Sequence, residues 1–201
     1  MKFVCLDMEG VLTPEIWKQV ARATGIEKLA MTTRDVADYD ELMRMRLHIL
    51  ESEGLGIAVL QDAVAELGVL PGAVEFVEWV RGRCQFAVIS DTFYDIAAPL
   101  LRQLGSPTLF CNRLEVAPDG RITGYSIRQS QQKLQVIRAL QGLNYPVLAA
   151  GDSHNDLGML QQADIGCWFR PPEDIAQEYA QFEVLDGFDE LRARIEAWMA
   201  A

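Results

Sequence analysis

The side chains best suited to chemistry stand at the ends of short apolar runs. The first run, Lys2 to Leu6, stops at Asp7, Glu9 and Gly10. It reads as a buried parallel strand, and Gly10 lets the backbone turn sharply after it. Asp7 is then expected at the carboxyl end of the strand, where open α/β sheets bind their ligands. A carboxylate there can hold a metal ion or attack phosphorus. Taken alone, Asp7 and Glu9 could equally be turn acids accepting local N–H groups.

Two later runs end in the same way. Phe86-Ala87-Val88-Ile89 leads into Ser90-Asp91-Thr92, and Val147-Leu148-Ala149-Ala150 leads into Gly151-Asp152-Ser153-His154-Asn155-Asp156. Lys133 opens a helical stretch ahead of the second. Each has a plain reading: Ser90 and Asp91 as a helix N-cap, Lys133 as a solvated lysine, Asp152 and Asp156 as capping acids. Together they supply an acid pair, a hydroxyl, a lysine and a second acid pair at sheet carboxyl edges. Phosphoryl transfer needs those parts. Carboxylates hold Mg2+ through oxygen, so that an anion can approach an anion. A hydroxyl and an ammonium donate to the equatorial oxygens. One carboxylate can attack and become an acyl phosphate, while a second protonates the leaving oxygen.

The elements that must position these groups alternate. Helices are expected over Ala73–Arg81, Phe93–Leu104, Lys133–Gln141, Asp156–Gln162, Pro172–Tyr179 and Phe188–Met199. Strands are expected at Phe86–Ile89, Thr108–Cys111, Val147–Ala150 and Ile165–Phe169. Leu114–Val116 and Ile122–Tyr125 flank Pro118-Asp119-Gly120, a hairpin turn signal. The alternation predicts an α/β fold with a doubly wound, mostly parallel sheet. Residues 14 to 67 break the pattern with a helix that starts over Pro14–Ala21, helices at Tyr39–Leu50 and Ile57–Leu67, and no strand. Their expected apolar faces are Ile16, Trp17, Val20 and Ala23; Leu42, Met43, Leu47 and Leu50; and Val59, Leu60, Val64 and Leu67. Such a block is expected to form a small helical cap inserted after the first strand. The division is then a core of residues 1–12 and 71–201 and a cap of residues 13–70.

Composition narrows the function. The 201 residues are 50% hydrophobic and 23% charged, with a net charge of −11. That charge argues against nucleic acid or anionic membrane as a partner, and an anionic substrate needs local cations. No apolar run reaches a membrane span and no signal peptide precedes the first strand, so a cytoplasmic location is expected. Cys5, Cys84, Cys111 and Cys167 have no zinc spacing, and the three in strand-like surroundings read as reduced packing residues. His48 is expected to pack within the cap, and His154 to be peripheral, since carboxylates already supply acid and base. Asp152, His154 and Asp156 mimic the start of a calcium loop. Leu157 stands where that loop needs Gly and Ala163 where it needs Glu, which excludes an EF-hand.

Asp7-Met8-Glu9-Gly10-Val11, Ser90, Lys133 and Gly151-Asp152-Ser153-His154-Asn155-Asp156 resemble the four ordered motifs of the haloacid dehalogenase superfamily of phosphohydrolases. The chain is similar end to end to the phosphoserine phosphatases within it, and most to their bifunctional phosphoserine phosphatase/homoserine phosphotransferase branch. Glu9, where the superfamily usually has Asp, and Ser90-Asp91-Thr92, where ordinary phosphoserine phosphatases have Ser-Gly-Gly, carry that likeness. The resemblance implies a Rossmann-like core and a Mg2+-dependent reaction through an aspartyl-phosphate, with O-phosphoserine as donor and water or homoserine as acceptor. It makes Asp7 the nucleophile and Glu9 the general acid and then base. Asp7, Asp152 and the main-chain carbonyl of Glu9 would hold the metal, with Asp156 a direct or outer ligand. Ser90, Asp91, Lys133 and Asn155 would bind substrate. Glu15 would take its ammonium and Arg46 its carboxylate, to which a bidentate guanidinium is well suited. Two alternatives are a phosphatase for another small phosphomonoester and a receiver-like signalling domain. The second usually has its phospho-acceptor after a mid-chain strand, unlike Asp7.

Overall fold

The computed structural model describes every residue except 33, 34 and 37. The sheet is built around β1 (Phe3–Leu6), whose Val4, Cys5 and Leu6 are fully buried. So short an apolar strand needs neighbours on both sides. It pairs in parallel with β2 (Gln85–Phe93) and β5 (Val147–Gly151), Leu6 facing Val88 on one side and Ala150 on the other. Beyond β2 lie β3 (Thr108–Val116) and the antiparallel β4 (Ile122–Ser126), joined by the expected turn with Gly120 at φ +86°. Beyond β5 lie β6 (Ile165–Phe169) and β7 (Glu183–Leu185). The order is β4-β3-β2-β1-β5-β6-β7. The chain winds outward from β1 one way and from β5 the other, so the reversal of strand order falls beside β1, where such sheets leave a crevice.

Alternate residues of β1 feed opposite faces of the sheet. On one face Val4 and Leu6 meet α4 (Ala73–Arg81), α5 (Tyr94–Gln103) and α9 (Phe188–Ala200) through Phe76, Leu100 and Leu191. On the other, Cys5 joins Ile137, Met159 and Ile175 of α6 (Gln132–Gly142), α7 (Leu157–Gln162) and α8 (Glu173–Glu178). Three further helices separate β1 from α4: α1 (Ile16–Thr24), α2 (Tyr39–Ser52) and α3 (Ile57–Leu67). α1 ends at Gly25, whose φ of +72° lets its N–H cap the Ala21 carbonyl. Ile16, Val20, Met43, Leu50, Leu60 and Val64 belong to the same buried cluster as Leu6 and Met8.

Several details depart from the sequence expectation. Ala21, not Ala23, completes the buried face of α1, because it lies one turn beyond Trp17 on the same side. Val59 is 36% exposed, since α3 buries the Leu60, Ala63 and Val64 stripe, and His48 is exposed rather than packed. A short 3-10 turn at Glu27–Ala30 and strand β7 were not expected. Both are too short for a periodic pattern to register. The helix expected from Asp156 starts with a 3-10 turn, His154–Asp156, before α7. No helix among the described residues is long and apolar enough to cross a membrane.

Candidate active site

The Asp7 N–H, one residue past β1, still donates to the Ala150 carbonyl of β5 at 3.0 Å, which fixes the side chain in the crevice. Asp7 is 4% exposed; its Oδ1 accepts the Met8 N–H at 2.7 Å and its Oδ2 lies 2.9 Å from Lys133 Nζ. Lys133, buried in the first turn of α6, also reaches Asp156 Oδ1 at 2.7 Å and Asp91 Oδ2 at 3.9 Å. The second oxygen of Asp156 accepts the N–H groups of Asp152 and Ser153 at 2.9 and 3.0 Å, and Ser153 with Asp156 forms a capping box. The loop after β5 thus closes on Asp156. Gly151 is needed there, because a Cβ would sit 2.2 Å from Asp156 Cγ.

Asp7, Asp152 and Asp156 each offer an oxygen within 4.8 Å of the others, a cluster that could hold a metal ion. Space for the group is kept by Gly10, at φ +80°, where a Cβ would lie 2.4 Å from Asp152 Cγ. Burial, then Asp156, pushes the Asp7 carboxyl up, against the pull of Lys133. Burial and Asp156 push Asp152 up to about 7. Burial works to discharge Lys133, but Asp156, Asp7 and Asp91 outweigh it and keep the ammonium charged. The cluster holds more negative charge than that ammonium neutralises. Its donors are all oxygens, which suits a hard divalent cation.

Glu9 turns the other way. Its Oε2 accepts the Ile16 N–H at 2.9 Å and so caps the N-terminus of α1, a place that Glu15 occupies without capping through its side chain. Burial raises the Glu9 carboxyl to about 7, although this hydrogen bond opposes the shift. The Arg46 guanidinium lies 4.2 Å from the Trp17 ring centre, donates from Nη2 to the Met31 carbonyl at 2.6 Å and leaves Nε buried without a partner among the described residues. Its pKa is lowered to about 10 by burial, partly restored by Tyr39, Glu9 and Glu15.

β2 does not stop at Ile89. It runs to Phe93 with a register break against β3 between Ile89 and Phe93, so Ser90 and Asp91 are strand residues and not an N-cap. The irregularity re-aims the strand end toward the site, with Ser90 buried. Asp91 accepts from Asn155 Nδ2 and from Gln132 Nε2, both at 3.0 Å, and Gln132 also donates to the Ser90 carbonyl at 2.9 Å. Gln132 had no signature in the sequence beyond adjoining Lys133.

Eight of the expected residues share one cavity of about 130 Å³: Asp7, Glu9, Glu15, Arg46, Ser90, Asp91, Asp152 and Asn155. Tyr39, Trp17 and Thr92, which sequence reasoning did not single out for the site, line it too. Lys133 and Asp156 stand behind this wall. Glu15 is 44% exposed along its side chain and 3.8 Å from Lys18 Nζ. His154 lies outside the cavity, exposed and 3.9 Å from Glu178.

A strand-end carboxylate backed by a buried lysine, on a doubly wound sheet with helices inserted after the first strand, defines a class of phosphoryl-handling hydrolase folds. The chain belongs to the haloacid dehalogenase-like hydrolase family, which it matches over residues 5–161. It is 48% identical to the phosphoserine phosphatase ThrH of Pseudomonas aeruginosa, over 96% of this chain and 94% of that protein. It is also 48% identical to a phosphoserine phosphatase of Pseudomonas syringae pv. tomato, over 96% of this chain and 81% of that one. Among solved structures, a phosphoserine phosphatase in apo form superposes with a TM-score of 0.76 over 97% of this chain and 98% of its own, at 22% identity.

Proposed function

We propose that the chain is a Mg2+-dependent phosphatase of O-phosphoserine that works through a phosphorylated Asp7 and also passes the phosphoryl group to homoserine. The observation that carries this reading is the pairing of Asp7 Oδ2 with Lys133 Nζ at 2.9 Å, beside a cavity lined by both the half-exposed acid of Glu15 and the guanidinium of Arg46. Glu15 offers an anion for the substrate ammonium and Arg46 a cation for its carboxylate. An amino-acid phosphate needs both, whereas a sugar phosphate needs neither. Helices α1–α3 act as a cap, residues 13–70, over a core of residues 1–12 and 71–201.

In the first half-reaction an Asp7 oxygen attacks phosphorus, the serine oxygen leaves, and Glu9 gives it a proton. A Glu9 pKa of about 7 keeps much of that carboxyl protonated near neutrality. In the second half, Glu9 takes the proton of water or of the homoserine hydroxyl, which attacks phosphorus and frees Asp7. Ser90 and Lys133 donate to the phosphoryl oxygens, Asp91 and Asn155 bound the pocket, and Gln132 holds Asp91 in place. Asp7, Asp152 and the Glu9 carbonyl would hold Mg2+, with Asp156 bracing Lys133 and the loop. When bound, the ion neutralises phosphoryl charge. A cytoplasmic location belongs to the same proposal, supported by four free cysteines.

The test is phosphoserine turnover with and without homoserine. Inorganic phosphate alone is expected without the acceptor, and phosphohomoserine in addition when it is present. No turnover of phosphoserine under either condition refutes the reading.

A further inference from the structure

A second cavity, about 340 Å³, lies away from the catalytic one, between α2 and the β3–β4 hairpin. Its size falls in the range of small-molecule sites, roughly 300–1,000 Å³. Leu47, Leu50, Leu55 and Ile122 give it aliphatic walls, and Arg44 and His48, one helical turn apart, stand with them. The α2–α3 turn is seated directly on the hairpin: the Ile57 N–H donates to the Gly120 carbonyl at 2.9 Å, and a Cβ on Gly56 would meet that oxygen at 2.8 Å. The N-terminal end of α2 is tied to β4 by the Tyr125 hydroxyl on Asp40. Arg121 and Glu51 also line the space; Arg121 is paired with Asp119 at 2.7 Å and its charge is further offset by Glu51. Arg44 differs. Its Nε donates to the Asp40 carbonyl at 3.2 Å, and its guanidinium makes no ion pair among the described residues.

We propose that this cavity binds a small aliphatic carboxylate, its hydrocarbon body against the leucines and Ile122 and its charge against Arg44 and His48. Occupancy adjusts the catalytic site through α2. Arg46 is two residues from both Arg44 and His48, about 200° around the helix, and faces the other cavity. A ligand that shifts or stiffens α2 on its outer face therefore changes how Arg46 meets substrate, and the coupling must be reciprocal.

The probe is hexanoate, titrated calorimetrically into the full-length protein, with 1-hexanol as the uncharged control. Saturable one-to-one binding of hexanoate is expected, at least ten-fold tighter than hexanol. Arg44→Glu, which reverses the charge, and Thr123→Trp, which fills the mouth from the exposed side of β4, should each weaken it ten-fold or more while phosphoserine turnover persists. Saturating hexanoate should shift the phosphoserine KM of the unmodified protein two-fold or more and leave that of both variants unmoved. Absence of saturable binding overturns the proposal. So does binding that survives both substitutions, which would put hexanoate at Arg46. Binding at this cavity with no change in KM overturns the coupling. The calorimetric arm needs no turnover, so it stands or falls apart from the catalytic reading above.

Discussion

The strand-end wall of the catalytic cavity and the wall supplied by helices α1 and α2 are built on different rules. On the strand side the charges are locked to one another around a single buried lysine. Asp7, Lys133 and Asp156 are buried together, and both Asp156 oxygens are occupied by Lys133 and by backbone N–H groups. On the helical side neither charge sits in a buried ion pair among the described residues. Glu15 is 44% exposed, and Arg46 rests on an aromatic face, the Met43 sulfur and a main-chain carbonyl, with one buried nitrogen unpartnered among the described residues. A group that must meet the reacting atoms gains from being fixed before substrate arrives. A group that must release its ligand gains from having partners it can exchange.

The comparison can be broken at either wall. Asp7→Asn should have the largest effect, reducing phosphoserine turnover by about four orders of magnitude or more and abolishing the trapped phosphoenzyme. A variant at the unmodified rate would remove the strand wall from the chemistry. Glu9→Gln should lower kcat by about 10²–10³-fold while substrate binding is largely kept. Steady-state kinetics check both. Arg46→Ala should reduce kcat/KM for phosphoserine by about 10–100-fold, the worth of a charged hydrogen bond, and change p-nitrophenyl phosphate far less. Equal losses on both substrates would erase the contrast between walls.

The smallest effect concerns protons. Burial pushes the Asp152 carboxyl from 3.8 up to about 7 and the Glu9 carboxyl from 4.5 up to about 7. A raised carboxyl costs the folded state nothing when protonated and destabilises it once ionised. The contribution of these groups to stability therefore falls as pH rises from their unfolded values through about 7. Mg2+ at the cluster favours the ionised form, so its binding should release protons near pH 6.5. Calorimetry in buffers of different ionisation enthalpy measures this. Equal heats across buffers at pH 6.5 would contradict it.

Much of the strand wall was legible in the sequence, because a buried strand is an apolar run and the first polar residues after that run stand near the sheet's carboxyl edge. That rule located Asp7, Ser90 and Asp152, and the alternation of elements gave the parallel sheet. It failed where identity is set by three-dimensional neighbours. Nothing in Glu183-Val184-Leu185 announces an edge strand, and Gln132 matters only because β2 continues past Ile89 and brings Asp91 within its reach. His48 looked like packing on a leucine-rich helix, yet α2 presents it to the gap beside the hairpin. The helical wall was legible as residue types, Glu15 and Arg46. Their setting was not, since Trp17 and the Met31 carbonyl come from separate segments.

Gly10 and Gly151 each abut a carboxyl carbon, of Asp152 and Asp156, so closely that a Cβ would stand 2.4 and 2.2 Å from it and force the acid to shift. The molecule thus reserves room by what those positions lack. A single methyl group at either would spread the acids while leaving the apolar core intact. Among all positions in a substitution screen, two bearing no functional group should rank with the nucleophile itself for lost turnover, yet melt as folded proteins.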